Sequence, residues 1–365
     1  MTVIEPELKS NRLVSLDVYR GLTMFLLVAE AALVYRALHG IFPESKLIEQ
    51  FFHHPWNGLR FWDLIQPFFM FIVGVAMPFS LSKRLSQNGE YSKVFGHILK
   101  RCFLLFLFGV GLHCVYAGRL VFELWNVLTQ LSFTILVTFL IINLPLRSQL
   151  FISLGLLVLT EILYRVHNPA TPFVKGENFG SWMDMILMGK INGGGWVAVN
   201  CIPTAAHTIW GAMCGKILRS DQVSGKKIKT FLMAGGIALV LGYGLDWLGI
   251  TPIIKRIATT SFTFASGGWA LVALAFFYWL VDVKKVQSWT RFFIVVGMNS
   301  IFIYLFAEVL GKAWLVDFVK IFNFGFFGAL GLTESALNLL NALITLGCMW
   351  GLCYFLYKKK IFFRV

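Results

Sequence analysis

The sequence predicts an all-α integral membrane protein, a bundle of about ten transmembrane helices with both termini in the cytoplasm. Hydrophobic residues make up 58% of the 365 residues and charged residues only 14%, and the mean hydropathy is +0.73. A soluble domain is nearer half apolar and a quarter charged. Apolar stretches of about 20 residues, the length that crosses roughly 30 Å of hydrocarbon, recur along the whole chain.

Each of these apolar stretches predicts one membrane-spanning helix. Their approximate bounds are 18–37, 61–82, 96–117, 125–144, 148–165, 199–218, 229–248, 260–281, 292–311 and 337–357. The connections between them are too short for a soluble domain. We therefore expect a single polytopic domain over residues 1–365, with 166–198 as its longest outer loop.

The net charge of +14 is concentrated on alternate connections, which assigns the two sides of the membrane. With the N-terminus inside, the inner segments hold 21 of the 32 lysines and arginines, which leaves 11 outside. Cytoplasmic loops of membrane proteins carry such an excess, so both termini are expected inside and no nucleic-acid partner is expected. The six cysteines have no disulfide or zinc spacing, and we expect no metal.

The stretch FFHHPWNGLRFWDLIQP, residues 51–67, concentrates polar side chains where the chain enters the second span from outside. Asn57 is a candidate N-cap, which would put Asp63 nearly two turns inside the helix. Pro67 cannot donate a hydrogen bond to the carbonyl of Asp63 and loosens the helix there. Opened backbone at membrane depth survives only against protein or water, so we expect Asp63 and a histidine to share a wet pocket.

His53 and His54 are the candidates for chemistry in that pocket. A histidine can exchange a proton near neutral pH or attack an activated acyl group as a nucleophile, and Asp63 could orient its ring. The alternative is that both are interfacial residues without a chemical role. His54 precedes Pro55 and is biased to an extended conformation, so we expect one of the two rings to point elsewhere.

Further polar groups lie inside predicted spans, where an ionisable residue indicates function because burying its charge is costly. Glu30 is near the middle of the first span and Glu308 near the outer end of the ninth. Asn299 and Ser300, in the inner third of the ninth span, either hold helices together or line a passage. His207 in the sixth span is either a pocket residue or a bundle histidine.

The segment RLVSLDVYRG places Arg12, Asp17 and Arg20 where the first helix enters the membrane from inside. The planar guanidinium group suits phosphate, whereas most arginines in such positions only anchor the topology. The arrangement leaves room for an anionic cofactor inside and an acid–base site outside.

Four segments resemble, in the same order, the transmembrane acyltransferase family of heparan-α-glucosaminide N-acetyltransferase and its bacterial relatives. They are RLVSLDVYRGLTM, HHPWNGLRFWDLIQPFFMFIVG, GMNSIFIYLFAEV and LYKKKIFFRV. Weaker matches, NVLTQL and PIIKRIATTSF, lie between the second and the third. Glu30 departs from the asparagine that relatives commonly carry late in the first span, and Gln130 departs from their arginine.

The resemblance implies an acetyl-CoA-dependent acyltransferase that acetylates an amino sugar or glycan fragment on the outer side. It selects His53 over His54 as acetyl carrier or general base, and it assigns Asp63 to orient that ring. Asn57 is expected to position the acyl oxygen. The family's acidic residue in the ninth span matches Glu308.

The remaining site residues are expected to bind the two substrates. We expect Glu30, Glu308 and His54 near the acceptor, and Arg12 and Arg20 at the phosphates of acetyl-CoA. We expect Asn299 and Ser300 along the donor's path.

The expected setting is a bacterial cytoplasmic membrane, with the lipid bilayer as a partner and a homodimer as one assembly that the sequence allows. The rival function is a sugar or glycan-fragment transporter, since a polar cavity near the midplane serves either class. Transporters often show two matching halves with broken helices, and the sequence has no evident internal repeat. A non-catalytic binding protein is a third alternative.

Overall fold

The computed structural model describes residues 13–88 and 90–363, and every regular element within them is helical. The α-helices are α1 Val14–Ala31, α2 Val34–Ile41, α3 Lys46–Glu49, α4 Ile65–Asn88, α5 Tyr91–Ala117, α6 Val127–Ile141, α7 Leu146–His167, α8 Phe179–Met188, α9 Cys201–Arg219, α10 Ser224–Trp247, α11 Thr260–Phe277, α12 Thr290–Gly297, α13 Ser300–Phe306, α14 Val316–Ala329 and α15 Glu334–Lys358. The 3₁₀ turns Phe61–Leu64 and Ala198–Asn200 precede α4 and α9, and the π-helical segments Tyr278–Val283 and Ala307–Leu315 continue α11 and α13.

The described residues form an α-helical membrane protein, in agreement with the sequence. Six helices are long and apolar enough to cross a membrane, or up to eight spans if each of two bent pairs is one span. The other two predicted spans correspond to α6 and α9, which have 15 and 19 residues. The number ten and the cytoplasmic placement of both termini therefore stay predictions.

Small residues let the central helices pack backbone against backbone. A Cβ atom at Gly74 of α4 would lie 2.1 Å from the carbonyl oxygen of Thr208, and one at Gly211 of α9 would lie 2.1 Å from that of Phe71. Close approach at glycine is typical of helices that associate in a membrane. Helix α4 therefore lies at the centre of the bundle and carries the stretch 51–67 into its interior.

The loops that the charge pattern assigns to the outside meet at one end of the bundle, here called the outer end. The backbone N–H of Gly58 donates to the carbonyl of Ile253 at 2.8 Å, and the indole of Trp56 donates to the carbonyl of Phe173 at 3.1 Å. Segments that are distant in the sequence are thus fixed against one another at this end.

Two helices break beside the same internal space. Helices α1 and α2 meet at 62°, with Leu33 in the left-handed region at φ 67°, and α12 meets the α13–α14 helix at 74°. Glu30, expected near the middle of the first span, lies one residue before the end of α1 at Ala31. Glu30 lies next to the first break, and Ser300 starts the helix after the second.

Candidate active site

An internal cavity of about 400 Å³ lies between the two broken helices and the outer loops. It is called the reaction cavity below. Its polar and charged lining groups come from distant parts of the chain: Glu30, Tyr35, Arg36, His53, Gln66, Asn126, Gln130, Lys255, Ser300, Tyr304 and Glu308. Aromatic rings, among them Trp62, Trp125 and Trp196, form much of the rest of the wall. The cavity thus combines a few polar groups with apolar walls, as small-molecule sites do.

His53 and Asp63 are in direct contact at the edge of this cavity. The Nδ1 atom of His53 lies 2.8 Å from Oδ1 of Asp63. A carboxylate accepts hydrogen bonds only, so Nδ1 carries the proton and Nε2 keeps its lone pair. The Asp63 side chain is 1% exposed and that of His53 is 37% exposed, which leaves the ring open towards a ligand.

The local chain is folded around the Asp63 carboxylate. Its Oδ2 atom accepts backbone N–H bonds from Arg60 at 3.0 Å and from His54 at 3.2 Å. These bonds close a turn, in which Gly58 has φ +136°, and the 3₁₀ helix then begins at Phe61. Asn57 is consequently not a helix N-cap: Arg60 holds that position, and Asp63 lies in the first turn instead of the second.

Lys255 is a third member of this site, from the loop between α10 and α11. Its Nζ atom lies 3.2 Å from Nδ1 of His53 and 3.7 Å from Oδ1 of Asp63. The ammonium group also lies 5.5 Å from the ring centre of Trp196, within range of a cation–π interaction. Only 7% of Lys255 is exposed, so its charge is buried and depends on Asp63 for compensation.

The surroundings hold His53 in its neutral form. Burial and the positive charge of Lys255 together lower the pKa of His53 to about 4, against the raising effect of Asp63. Burial also lowers the pKa of Lys255 to about 8, against the raising effect of Asp63. At neutral pH the site therefore contains an uncharged imidazole beside a carboxylate–ammonium pair, and such an imidazole can act as a base or nucleophile.

A second part of the cavity wall carries two carboxylates with partners of their own. Glu308 accepts a hydrogen bond from the Tyr116 hydroxyl at 2.8 Å, and Glu30 lies 3.6 Å from Nζ of Lys312. The charge of Glu30 acts on Glu308, so the two carboxylates are near each other. This wall presents negative charge to a ligand, in contrast to the wall that holds His53.

The other outer candidates do not line the reaction cavity. The His54 ring packs against Gly58, where an added Cβ would lie 2.7 Å from Nε2, and its Nδ1 is buried without a partner within the described residues. Asn57 is exposed. His207 is fully buried and bonds through Nε2 to Ser266 at 2.9 Å, as a bundle histidine does. The substrate role of His54 and the catalytic role of Asn57 stay predictions.

The donor-side candidates are separated by the structure. Ser300 lines the cavity, whereas Asn299 is fully buried and bonds to the backbone of Ile361 and Phe363 at 3.0 and 2.9 Å. Arg20 lies 3.7 Å from Asp17, and Arg12 falls outside the described residues.

A second basic residue, Arg101 of α5, lies near Arg20 on the inner side of the bundle, and neither residue lines the cavity itself. The charges of Arg20 and Arg84 act on it, and its buried Nε has no hydrogen-bond partner within the described part of the chain. Met24, which lines the cavity, is one helical turn beyond Arg20 on α1, about 6 Å along the axis. An unsatisfied donor among like charges fits an anion at this point.

Sequence reasoning missed Lys255, Arg101, Tyr116 and Lys312. Lys255 belongs to PIIKRIATTSF, the segment with a weak family resemblance, and this was the one signal that could have singled it out. The others are a basic residue near a span end, an interfacial tyrosine and a lysine in an apolar helix, which are common in membrane proteins. Of the four, Lys255 lines the reaction cavity, whereas Tyr116 and Lys312 contact the lining residues Glu308 and Glu30.

Two comparisons relate the chain to known proteins. Residues 12–159 match the family model described as Domain of unknown function (DUF5009). The chain is 26% identical to heparan-alpha-glucosaminide N-acetyltransferase of Mus musculus, over 98% of this chain and 61% of the relative. It is 24% identical to the Homo sapiens protein of that name, over 97% of this chain and 60% of the relative. The chain thus spans about three-fifths of the length of the curated relatives it matches.

Proposed function

We propose that this chain, a divergent relative of heparan-alpha-glucosaminide N-acetyltransferase, is a membrane-embedded acyltransferase. It moves an acetyl group from cytoplasmic acetyl-CoA to an amino sugar or glycan fragment on the outer side. The observation that carries the proposal is the contact of the half-exposed His53 ring with the buried Asp63 and Lys255 at the edge of the reaction cavity. Similarity over nearly the whole chain to enzymes named as N-acetyltransferases supports the reaction class.

The donor would bind from the inner end. Arg20 and Arg101 would hold its phosphates, because guanidinium groups bind phosphate with paired hydrogen bonds and the Arg101 Nε lacks a partner within the described residues. The acyl arm would pass Met24 and Ser300, which line the cavity at its inner side. Acetyl-CoA supplies the activated thioester, and the protein supplies position and proton transfer.

His53 acts through Nε2, since Nδ1–H is engaged by Asp63. As a general base, Nε2 takes the proton of the acceptor amine while the amine nitrogen bonds to the acetyl carbon and the carbon–sulfur bond breaks. As a carrier, Nε2 bonds to the acetyl carbon first and the thiolate leaves. The amine nitrogen then bonds to the acetyl carbon, the bond from that carbon to Nε2 breaks, and the released Nε2 takes the amine's proton. In both routes Asp63 stabilises the positive charge that develops on the ring.

The acidic wall would bind the acceptor. Glu30 and Glu308 present carboxylates to the cavity, and an amino sugar carries an ammonium group and hydroxyls that such groups bind. Trp125 and Trp196 add aromatic faces on which a sugar ring can pack. The amine attacks in its uncharged form, and Nε2 of His53 is placed to take the proton that the amine nitrogen loses as it bonds to the acetyl carbon.

The test uses the purified chain with labelled acetyl-CoA and glucosamine. Release of CoA together with acetylated glucosamine supports the proposal, and both should fall when Arg20 and Arg101 are each replaced by alanine. Lys216→Ala, which removes another inner positive charge, is the matched control. Neither CoA release nor acetylated sugar, together with no binding of acetyl-CoA, would refute the assignment.

One observation favours a sugar transporter as a second candidate. The cavity lies between two broken helices, at 62° and 74°, and broken helices commonly line transporter sites. A transporter would exchange labelled glucosamine across vesicles without any acetyl-CoA. An acyltransferase would produce acetylated sugar only when the donor is present, and the same vesicles serve for both assays.

A further inference from the structure

A second polar space adjoins the reaction cavity at the outer end of the bundle. It measures about 290 Å³ and lies between α2, α14 and α15. Its charged and polar lining consists of Arg36, Asp317, Lys320, Ser335, Asn338 and Asn341. Arg36 also lines the reaction cavity, so the two spaces share a wall. A ligand could therefore extend from one into the other.

The polar space holds groups whose hydrogen-bonding capacity is unused. Asn341 is only 6% exposed, and its Oδ1 atom has no partner within the described residues although its Nδ2 donates to the carbonyl of Val316 at 3.2 Å. A buried orphan acceptor costs stability unless a donor reaches it. Within the same part of the chain, neither Arg36 nor Lys320 has an ion-pair partner; both side chains are exposed, and Nζ of Lys320 lies 5.0 Å from the ring centre of Phe324.

An apolar groove continues from the polar space along the outer half of α15. It measures about 370 Å³ and shares Ser335 with the polar space. Its other lining residues are Ile41, Thr333, Ala336, Leu339, Leu340 and Leu343. From Glu334 to Leu343 the helix rises about 14 Å, so the groove leads from the interface into the depth of the outer leaflet. A hydrocarbon chain fits such a surface, whereas a polar glycan does not.

The three spaces in series match one kind of amphiphilic molecule. The polar space is lined by two cations, Arg36 and Lys320, and one anion, Asp317. Its net charge is therefore positive, which suits a phosphate group. We propose that the acceptor is a lipid-linked amino sugar, with its phosphate between Arg36 and Lys320, its hydrocarbon chain in the α15 groove and its sugar in the reaction cavity. A sugar or linker hydroxyl would then satisfy Asn341. The inference rests on the proposed acyltransferase function.

The test compares acceptors that differ in one part each. The probes are glucosamine linked through a phosphate to a polyprenol, glucosamine linked to the same polyprenol by an ether, glucosamine 1-phosphate and glucosamine. Two ion-assisted contacts are worth about tenfold or more in affinity, so we expect the phosphate-linked lipid to have a KM at least about tenfold below every other probe. The ether-linked probe controls for simple concentration in detergent micelles.

Variants locate the effect in the polar space. Lys320→Ala should raise the KM for the phosphate-linked lipid about tenfold more than the KM for glucosamine. Arg119→Ala, which removes an exposed positive charge at the same end of the bundle, should leave that ratio unchanged. Thermal unfolding of both variants verifies that they are folded.

Each outcome either supports or overturns the inference. Equal KM values for the two lipid probes, or an unchanged ratio in Lys320→Ala, would overturn the phosphate site. A soluble glucosaminyl–uronic acid disaccharide is added as a fifth probe. If its KM equals that of the phosphate-linked lipid, the lipid proposal is overturned and the acceptor is an anionic glycan instead. Transfer to glucosamine with no gain from the lipid defeats only this inference, whereas no transfer to any probe defeats the proposed function itself.

Discussion

The two walls of the reaction cavity are built in different ways. The wall with His53 comes from loops, and its charged groups contact one another: Asp63 has four donors around it, including Lys255. The wall with Glu30 and Glu308 comes from two broken helices, and each carboxylate has a partner from α5 or from the π-helical segment. One wall is a fixed cluster, and the other is two separate pairs.

This difference indicates a division of roles. A cluster in which one carboxylate orients a ring and balances a buried ammonium is preorganised for proton transfer, and losing that carboxylate disturbs the ring and the ammonium together. Separate pairs that face a cavity can exchange a partner for a ligand at little cost. We therefore expect substitutions on the first wall to act mainly on kcat, and those on the second wall to act mainly on KM.

The largest effect is expected for His53→Ala. It removes the nitrogen that accepts the proton or the acetyl group, so kcat should fall by about 10²–10⁴. The measurement is acetyl transfer from labelled acetyl-CoA to glucosamine under saturating conditions. His54→Ala is the matched neighbour, since His54 does not line the cavity, and it should retain far more activity. Equal losses in the two variants would contradict the selection of His53.

Asp63→Asn is expected to have the next largest effect, a loss of about 10² in kcat. The amide can donate to Nδ1 of His53, which moves the ring proton to Nε2 and removes its lone pair. The variant also leaves Lys255 buried without a counter-charge, so the melting temperature should fall. A stable variant with normal kcat would show that the carboxylate does not orient the ring.

On the second wall, Glu308→Gln should raise the KM for glucosamine about tenfold with little change in kcat, because it removes a charge-assisted contact. Tyr116→Phe keeps the carboxylate but removes the hydroxyl that bonds to it, and its effect should be smaller. Steady-state kinetics at varied glucosamine concentration provide the measurement. A fall in kcat without a change in KM would place Glu308 with the reacting groups instead.

The smallest effect is expected for Lys255→Met and depends on pH. Removing this cation raises the pKa of His53 from about 4 towards its ordinary value, because Lys255 disfavours the charged ring. The acidic limb of kcat/KM should therefore move to higher pH, by only part of the distance to the ordinary value because burial of the ring remains, with little change at pH 8. Lys255→Arg should keep the wild-type profile. An acidic limb that does not move would separate Lys255 from the protonation of His53.

Much of the first wall could be predicted because it is encoded locally. His53 and Asp63 are ten residues apart in one stretch, and polar groups at the start of an apolar span indicate a site without knowledge of the fold. The turn that joins them was mispredicted, because Asp63 binds the Arg60 N–H and starts the helix later than Asn57 suggests. Lys255 is 192 positions after Asp63 in the sequence, and no local pattern specifies a contact between residues so far apart.

The second wall shows where local patterns do not suffice. Apolar length predicts a span but not a break within it, so the sequence did not reveal the break next to Glu30, which comes at Leu33 without a proline or glycine at that position. The partners Tyr116 and Lys312 are set by how the broken helices pack. The polar space around Arg36 and Asn341 could not be predicted for the same reason, because it forms only where three helices pack together.

The most direct test of the central claim is transfer across a membrane. Vesicles containing the purified chain would hold glucosamine on one side and receive labelled acetyl-CoA on the other. The account predicts labelled N-acetylglucosamine in the glucosamine compartment with wild-type protein and almost none with His53→Ala. Label that stays with the donor in both samples, or an equal yield from the His53→Ala vesicles, would contradict it.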